Sequence, residues 1–172
     1  MTFKQLNSDQ YHPYYQIYLD LLAPETILLP SLITQKDQII AFFEAIPSEL
    51  HNYGYQEDKW TIKEVFQHII DTERIFMYRA LRIGRGDASP LMGFEQDDYI
   101  IPSGAGQKTM EQLVGEYKTT RAYSISLLES LDIDNLNIIG EASNAPLSAG
   151  AAGFITLAHE RWHVKIIEER YL

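Results

Sequence analysis

Cysteine is absent from this 172-residue sequence. Without thiols, the chain can form no disulfide, no thiolate metal site and no cysteine nucleophile. Long hydrophobic runs are also absent, since the longest strongly apolar stretch, 39–43, is far shorter than the ~20 residues of a membrane span. The first ten residues are polar, so we expect no secretory signal. These absences favour a soluble, cytoplasmic protein.

Positive charge is scarce. The sequence contains 14 Lys and Arg against 24 Asp and Glu, a formal net charge of −10 with histidine neutral. A surface of this sign repels phosphates and anionic headgroups, so we expect neither nucleic acid nor a membrane as partner. The length fits a single domain over residues 1–172, and a hydrophobic content of 45% is enough to build a core.

Strand signals are poor, because no run of alternating β-branched residues lies between hairpin turns. Helical periodicity instead predicts an all-α fold with four helices. The second is the most sharply bounded, since Thr61 and Glu64 form a capping-box pattern before it and Gly84 offers a stop. The other three helices are predicted over residues 31–46, 109–131 and 149–171. The tyrosine-rich segment 11–22 is predicted to be a short helix or an arm packed across the others.

A connection rich in glycine and proline, residues 84–108, separates the second and third predicted helices. We predict a loop here, not a fifth helix. Its 25 residues could span ~80 Å, whereas a 22-residue helix is only ~33 Å long, so the loop could let these two helices lie parallel. Loops of this length often shape a site. Phe94 in this loop and Trp60 before the second helix are candidates for the wall of a pocket.

Three of the five histidines occupy positions that suggest a shared site. His159 and His163 are one turn apart in the fourth predicted helix, so both side chains leave one face. They interrupt a row that is otherwise apolar, and this places them toward the interior or its edge. His68 lies beside the apolar stripe of the second helix and also faces inward or nearly so. Buried imidazoles need partners, and a metal ion is one way to satisfy several nitrogens at once.

The positions along the two helices are compatible with a common centre. His68 lies ~9 Å from the start of its helix, and the midpoint of His159 and His163 lies ~15 Å from the end of theirs. If the helices run antiparallel, these depths agree within about one turn. Three imidazoles leave a coordination position open, which is typical of a reactive metal and not of a closed structural one.

Each of these residues also has a simpler interpretation. His68 taken alone is more often a hydrogen-bonded core residue, and Asp71, which could orient its ring, is more simply part of a solvated helix face. The string from His159 to His163 matches the zincin motif, with Glu160 as general base. Zincin clefts bind substrate along a sheet edge, however, and we expect no sheet. We therefore predict that Glu160 is a surface residue or a partner of a metal ligand.

Other sites are excluded or left without a role. A di-iron carboxylate site needs two Glu-x-x-His motifs, and only Glu160-x-x-His163 is present. No Gly-x-Ser-x-Gly elbow supplies a serine nucleophile. His12 and His51 lie in predicted loops, and no function is assigned to them.

Two segments resemble the DinB-like superfamily, specifically the YfiT-type metal-dependent hydrolases. They are residues 59–74, which run from Lys59-Trp60 to Arg74 and include His68, and residues 159–163 with the closing 169–172. The stretch 78–83 and the pair Gly93-Phe94 also fit. The resemblance therefore covers nearly the whole chain.

The resemblance implies an all-α four-helix bundle of up-down-down-up topology, with a long crossover loop between helices two and three. It implies a divalent metal, nickel or zinc, held by His68, His159 and His163 with water completing the shell. Relatives are often homodimers. Some transfer low-molecular-weight thiols, such as bacillithiol or mycothiol, to electrophiles, whereas others have no known reaction.

The function we predict is that of a metal-dependent enzyme acting on a small molecule. The metal would lower the pKa of a bound thiol or water toward neutrality. Because the chain lacks cysteine, any thiol must arrive as a cosubstrate. The sequence does not separate a thiol transferase from a hydrolase. The alternatives are a non-enzymatic metal-binding or stress-response protein and a metal-free helical domain.

Overall fold

A computed structural model describes residues 1–172. The chain is mostly helical, with one small two-stranded sheet. The helices are α1 (Gln16–Leu19), α2 (Leu28–Ala45), α3 (Ile62–Gly84), α4 (Asp97–Ser103), α5 (Met110–Glu129), α6 (Ile133–Asn137) and α7 (Ala149–Arg170), and the strands are β1 (Ile139–Ala142) and β2 (Ala145–Ser148). The four long helices, α2, α3, α5 and α7, coincide with the four predicted stretches. None of the helices has the length and apolar character that crossing a membrane requires.

Local sequence signals explain where α3 and α7 begin. The Glu64 carboxylate accepts from the Thr61 backbone N–H at 2.7 Å, and the Thr61 hydroxyl accepts from the Glu64 N–H at 3.3 Å. This confirms the predicted capping box. The Ser148 hydroxyl caps α7 by accepting from the Ala151 N–H at 2.9 Å. These caps satisfy N–H groups that a helix start leaves without partners, and they set the register of the two histidine-bearing helices.

Contacts at the helix ends show how α3 meets α7. The Tyr171 hydroxyl, just after α7, donates to the carbonyl of Trp60, just before α3, at 2.8 Å. At the far end of α3, a side chain added to Gly84 would lie 3.4 Å from the Cβ of Ala149, the first residue of α7. The start of one helix therefore lies beside the end of the other.

The contacts between α3 and α5, in contrast, join the two helix starts and the two helix ends. Lys63 Nζ, in the first turn of α3, donates to the carbonyl of Lys108 just before α5 at 2.8 Å. Arg85, just after α3, donates to the hydroxyl of Ser130, just after α5, at 2.9 Å. Like ends of these two helices lie together.

Two hydrophobic clusters fill the interior, and a polar layer separates them. On each long helix, the buried apolar residues of one cluster end before those of the other begin. The residues between them include buried polar side chains from all four helices: Gln35, Glu73, Arg121, His159 and Glu160. Because buried polar groups need partners, this layer is where a functional site is to be sought.

Two elements differ from the sequence predictions. The β1–β2 hairpin was not expected, because its strands are only four residues long and its turn, Ser143-Asn144, is a weaker signal than Asn-Gly. Both turn residues adopt positive φ angles, 55° and 59°. The prediction of a loop without a helix over residues 84–108 is also wrong, since α4 lies within it. The glycines and Pro102 exclude a long helix there but not one of two turns, which ends at Gly104 with a φ of 64°.

Candidate metal centre

The structure brings together the three histidines that the sequence singled out. His159 Nε2 lies 3.1 Å from His68 Nε2 and 3.0 Å from His163 Nε2. One nitrogen from each ring lies within 4.8 Å of the others, and no Asp, Glu or Cys belongs to the group. Nitrogens bound to one Zn²⁺ at ~2.0–2.1 Å are about 3.0–3.4 Å apart, so the distances from His159 Nε2 to the other two rings fit a shared cation. The three rings could hold one metal ion and leave further coordination positions free.

Burial keeps these rings in the form that binds metal. His68 and His159 are 4% and 7% exposed, and His163 is partly buried. Burial, with the neighbouring His163, lowers the pKa of His68 to about 3. Burial lowers the pKa of His163 to about 4, and the pKa of His159 also falls through burial and its two histidine neighbours. Neutral imidazoles present the lone pairs that a metal requires.

Neighbouring side chains hold the rings in place. The Thr72 hydroxyl, one turn after His68, lies 3.5 Å from His68 Nδ1. The Trp60 ring packs at 4.7 Å from the His68 ring, and the Tyr18 ring meets His159 edge to face at 5.4 Å. These contacts restrict ring rotation, so the cluster is largely preorganised.

Asp71 does not orient His68. Its carboxylate accepts from Gln67 Nε2 at 3.1 Å and from Arg74 Nη1 at 2.9 Å, toward the outer side of α3. The residue beside His68 Nδ1 is Thr72, which sequence reasoning did not consider. The solvated-face interpretation is therefore the one that matches the position of Asp71.

Glu160 is not on the surface, and the prediction that placed it there is wrong. The residue is 1% exposed. Its two carboxylate oxygens accept from Arg121 Nη2 at 2.7 Å and from Gln35 Nε2 at 2.6 Å. Because it follows His159 by one residue, its side chain leaves α7 about 100° away from the histidine. Glu160 thus faces away from the histidines and occupies neither the general-base position of a zincin nor that of a partner to a metal ligand.

Arg121 is the centre of a second polar cluster in the same layer. Its guanidinium donates to both oxygens of Glu73 at 2.8 and 3.0 Å, to Glu160, and to the Leu32 carbonyl at 3.1 Å. Burial by itself would lower the pKa of Arg121, but Glu160 and Glu73 raise it well above the ordinary value. This cluster is built from its own opposite charges.

Cavities give access to the histidines from two sides. A cavity of about 180 Å³ is lined by His68, His159 and Phe94, and a cavity of about 340 Å³ is lined by His163 and Trp60. Phe94 and Trp60 therefore lie where the sequence suggested pocket walls. His12 and His51 are not part of the cluster.

Sequence reasoning missed several residues of the first cavity. They are Tyr14, Tyr15, Tyr18, Thr72, Arg79 and Ser143. A signal existed for Arg79, which follows His68 by three turns on one helix face. The tyrosine-rich segment was predicted to be a short helix or an arm packed across the others, and it contains the short helix α1. Nothing in its pattern indicated that Tyr18 would pack against His159.

The comparisons with known proteins agree with this architecture. The family model of the DinB superfamily matches residues 32–167, and the chain belongs to that superfamily. The matched region includes all three histidines. Among curated proteins, none matches this chain significantly.

Solved structures of low sequence identity share the fold. YfiT from Bacillus subtilis, described as a probable metal-dependent hydrolase with an unusual four-helix bundle topology, has a TM-score of 0.69 at 11% identity, over 95% of this chain and 87% of its own. The DinB-like protein YjoA from Bacillus subtilis has a TM-score of 0.59 at 16% identity, over 83% and 87%. The mycothiol-dependent maleylpyruvate isomerase has a TM-score of 0.64 at 12% identity, over 99% of this chain and 63% of its own.

Proposed function

We propose that this protein is a metal-dependent enzyme acting on a small molecule, with His68, His159 and His163 binding nickel or zinc. The observation that carries the proposal is the convergence of three neutral imidazole nitrogens within 4.8 Å of one another, beside a cavity and with no acidic side chain among them. A divalent cation bound there would lower the pKa of a thiol or water toward neutrality. The descriptions of YfiT as metal-dependent and of the isomerase as mycothiol-dependent support this chemistry.

The chain's own residues contribute binding, orientation and exclusion of water. Thr72, Trp60 and Tyr18 hold the imidazoles, and the apolar rings of Phe76 and Phe94 line the cavity beside them. No cysteine is present, so a thiol must enter this cavity as a cosubstrate. Hydrolysis would need only water in the same place.

We also infer that the four long helices form an up-down-down-up bundle. The end contacts between α3 and α7 support opposite directions for these two helices, and those between α3 and α5 support a common direction. The homodimer and the cytoplasmic location remain predictions from the family resemblance and the composition.

Metal analysis of protein purified without a histidine tag tests the site. We expect one nickel or zinc ion per chain by mass spectrometry of the metal content, and we expect His68→Ala, His159→Ala and His163→Ala each to lose it. His12→Ala and His51→Ala are matched controls, because they remove histidines outside the cluster. Full metal content in the three cluster variants would contradict the assignment.

Turnover separates an enzyme from a metal-holding protein. Metal-reconstituted protein is assayed with a chloro-dinitrobenzene and several low-molecular-weight thiols, and with activated esters for hydrolysis. We expect a rate that requires the metal and disappears in His159→Ala. Tight metal binding without turnover of any of these substrates would instead favour a non-enzymatic role.

A further inference from the structure

Arg79 on α3 is a buried cation without an acidic partner. Arg79 is 2% exposed. Its Nη2 donates to two uncharged acceptors, the Met92 carbonyl at 3.1 Å and the Ser143 hydroxyl at 2.9 Å. The remaining three N–H groups of a guanidinium, on Nε and Nη1, have no charged acceptor. The ionisable side chain that the guanidinium faces is Tyr15, and burial raises the pKa of that phenol, so it supplies no negative charge.

Arg121 shows how this chain treats a buried arginine whose role is internal. Arg121 is equally enclosed but contacts two carboxylates, Glu73 and Glu160. Burying a charge without compensation is costly, and the chain has 24 acidic residues with which to pair it. Leaving Arg79 unpaired therefore suggests that its counter-charge comes from outside the protein.

The surroundings of Arg79 connect it to the histidine cluster. It lines the cavity of about 180 Å³ that His68 and His159 also line, and an adjoining cavity of about 200 Å³. It follows His68 by 11 residues, which places both on one face of α3 with a rise of roughly 16 Å between their Cα atoms. The guanidinium carbon lies 5.3 and 5.8 Å from the ring centres of Phe76 and Phe94.

We propose that Arg79 binds a carboxylate of the small molecule that reacts at the histidine cluster. The N–H groups on Nε and Nη1 can each donate a charge-assisted hydrogen bond to a carboxylate oxygen, and the flanking rings exclude water that would weaken the pair. Glu95 also lines this cavity but is exposed and forms no ion pair with Arg79. The role in a reaction rests on the proposed function, whereas carboxylate binding itself requires no metal.

Succinate and its uncharged analogue succinamide test the carboxylate site by calorimetry on metal-free protein. We expect succinate to bind at least about tenfold more tightly, as for a charge-assisted pair, and we expect Arg79→Gln to remove this preference. Arg85→Gln is the matched control, because it removes an arginine at the end of the same helix that bonds Ser130 outside the cavity. Ser143→Ala removes a neutral partner of Arg79 and should keep the preference. Equal affinities in the wild-type protein, or a preference that survives Arg79→Gln, would overturn the proposal.

A second pair of comparisons identifies which substrate carries the carboxylate. Metal-reconstituted protein is titrated with N-acetylcysteine against N-acetylcysteamine, and with 4-chloro-3-nitrobenzoate against its amide. An Arg79-dependent preference in the first pair assigns the carboxylate to the thiol, and one in the second assigns it to the electrophile. A preference in neither pair overturns the substrate role. If succinate binding depends on Arg79 but the protein takes up no nickel or zinc on reconstitution, the carboxylate site stands and the proposed function fails.

Discussion

Two polar clusters lie side by side in the interior, and neighbouring residues of α7 belong to each. Glu160 joins a cluster in which Arg121 is paired with two carboxylates, so opposite charges compensate each other within the protein. His159 joins a cluster of three imidazoles, whose nitrogens face one another with no acid among them. The first cluster is complete without any other component. In the second, nitrogens of three neutral rings face one another, and a cation would satisfy their lone pairs together.

The largest predicted effect on stability comes from breaking the cluster of Arg121, Glu73 and Glu160. Arg121→Met would leave Glu73 and Glu160 buried without their cation, and we expect it to lower the free energy of unfolding by about 3–5 kcal/mol. Urea denaturation measures this loss. Lys165→Ala is the control on α7, because Lys165 and Glu169 are half exposed and 3.8 Å apart, and its loss should stay below about 0.5 kcal/mol. A similar small loss for Arg121→Met would show that the cluster does not stabilise the fold.

The pH dependence of stability tests the histidine cluster. In metal-free protein the pKa of His163 is about 4, lowered by burial, whereas an unfolded histidine has a pKa of about 6.5. Between these values the unfolded state binds more protons at His163 than the folded state does. The contribution of His163 to stability therefore falls as the pH falls from about 6.5 to 4 and is constant above that range. This difference corresponds to roughly 3 kcal/mol from His163 alone.

Denaturation of metal-free protein across this pH range measures the effect. His163→Asn should lose less stability than the wild type as the pH falls. His12→Gln, which lies outside the cluster, should follow the wild-type curve. Identical curves for wild type and His163→Asn would mean that the buried ring does not resist protonation.

The smallest effect is expected at the edge of the Arg121 cluster. The Tyr117 hydroxyl is the one buried side-chain polar atom without a hydrogen-bond partner, and its ring packs against the Arg121 guanidinium at 5.2 Å. Tyr117→Phe keeps the ring and removes only the unpaired hydroxyl, so stability should stay within about 1 kcal/mol of wild type or rise. Thermal denaturation at neutral pH tests this, with Tyr117→Ala as the control that removes the ring. A loss above about 2 kcal/mol for Tyr117→Phe would indicate a hydrogen bond in solution.

The long helices could be predicted because their signals are local. The capping box at Thr61 and the apolar repeats lie within a few residues along the chain, and the four long helices match them. The spacing of His159 and His163 predicted a shared face for the same reason. The hairpin and α4 were missed because each is short, and short elements depend on contacts such as the bond between the Leu91 N–H and the Glu141 carbonyl at 2.9 Å.

The roles of charged residues were the least predictable part. Glu160 was predicted to be a surface residue or a partner of a metal ligand, because no sheet was expected to form a zincin cleft. Only the positions of Arg121 and Gln35 on other helices made its burial favourable. The spacing of Arg79 from His68 indicated a shared face of α3. Its burial had no local signal, since it depends on Phe76, Phe94 and the hairpin turn closing around it.

The sequence by itself determined the helical class, the helix boundaries near the histidines and the pairing of His159 with His163, because periodicity and capping act over a few residues. Only the tertiary structure decided which buried charges compensate each other and which do not. That outcome depends on residues tens of positions apart, such as Arg121 and Glu73, meeting in a medium of low polarity, where an unpaired charge is costly.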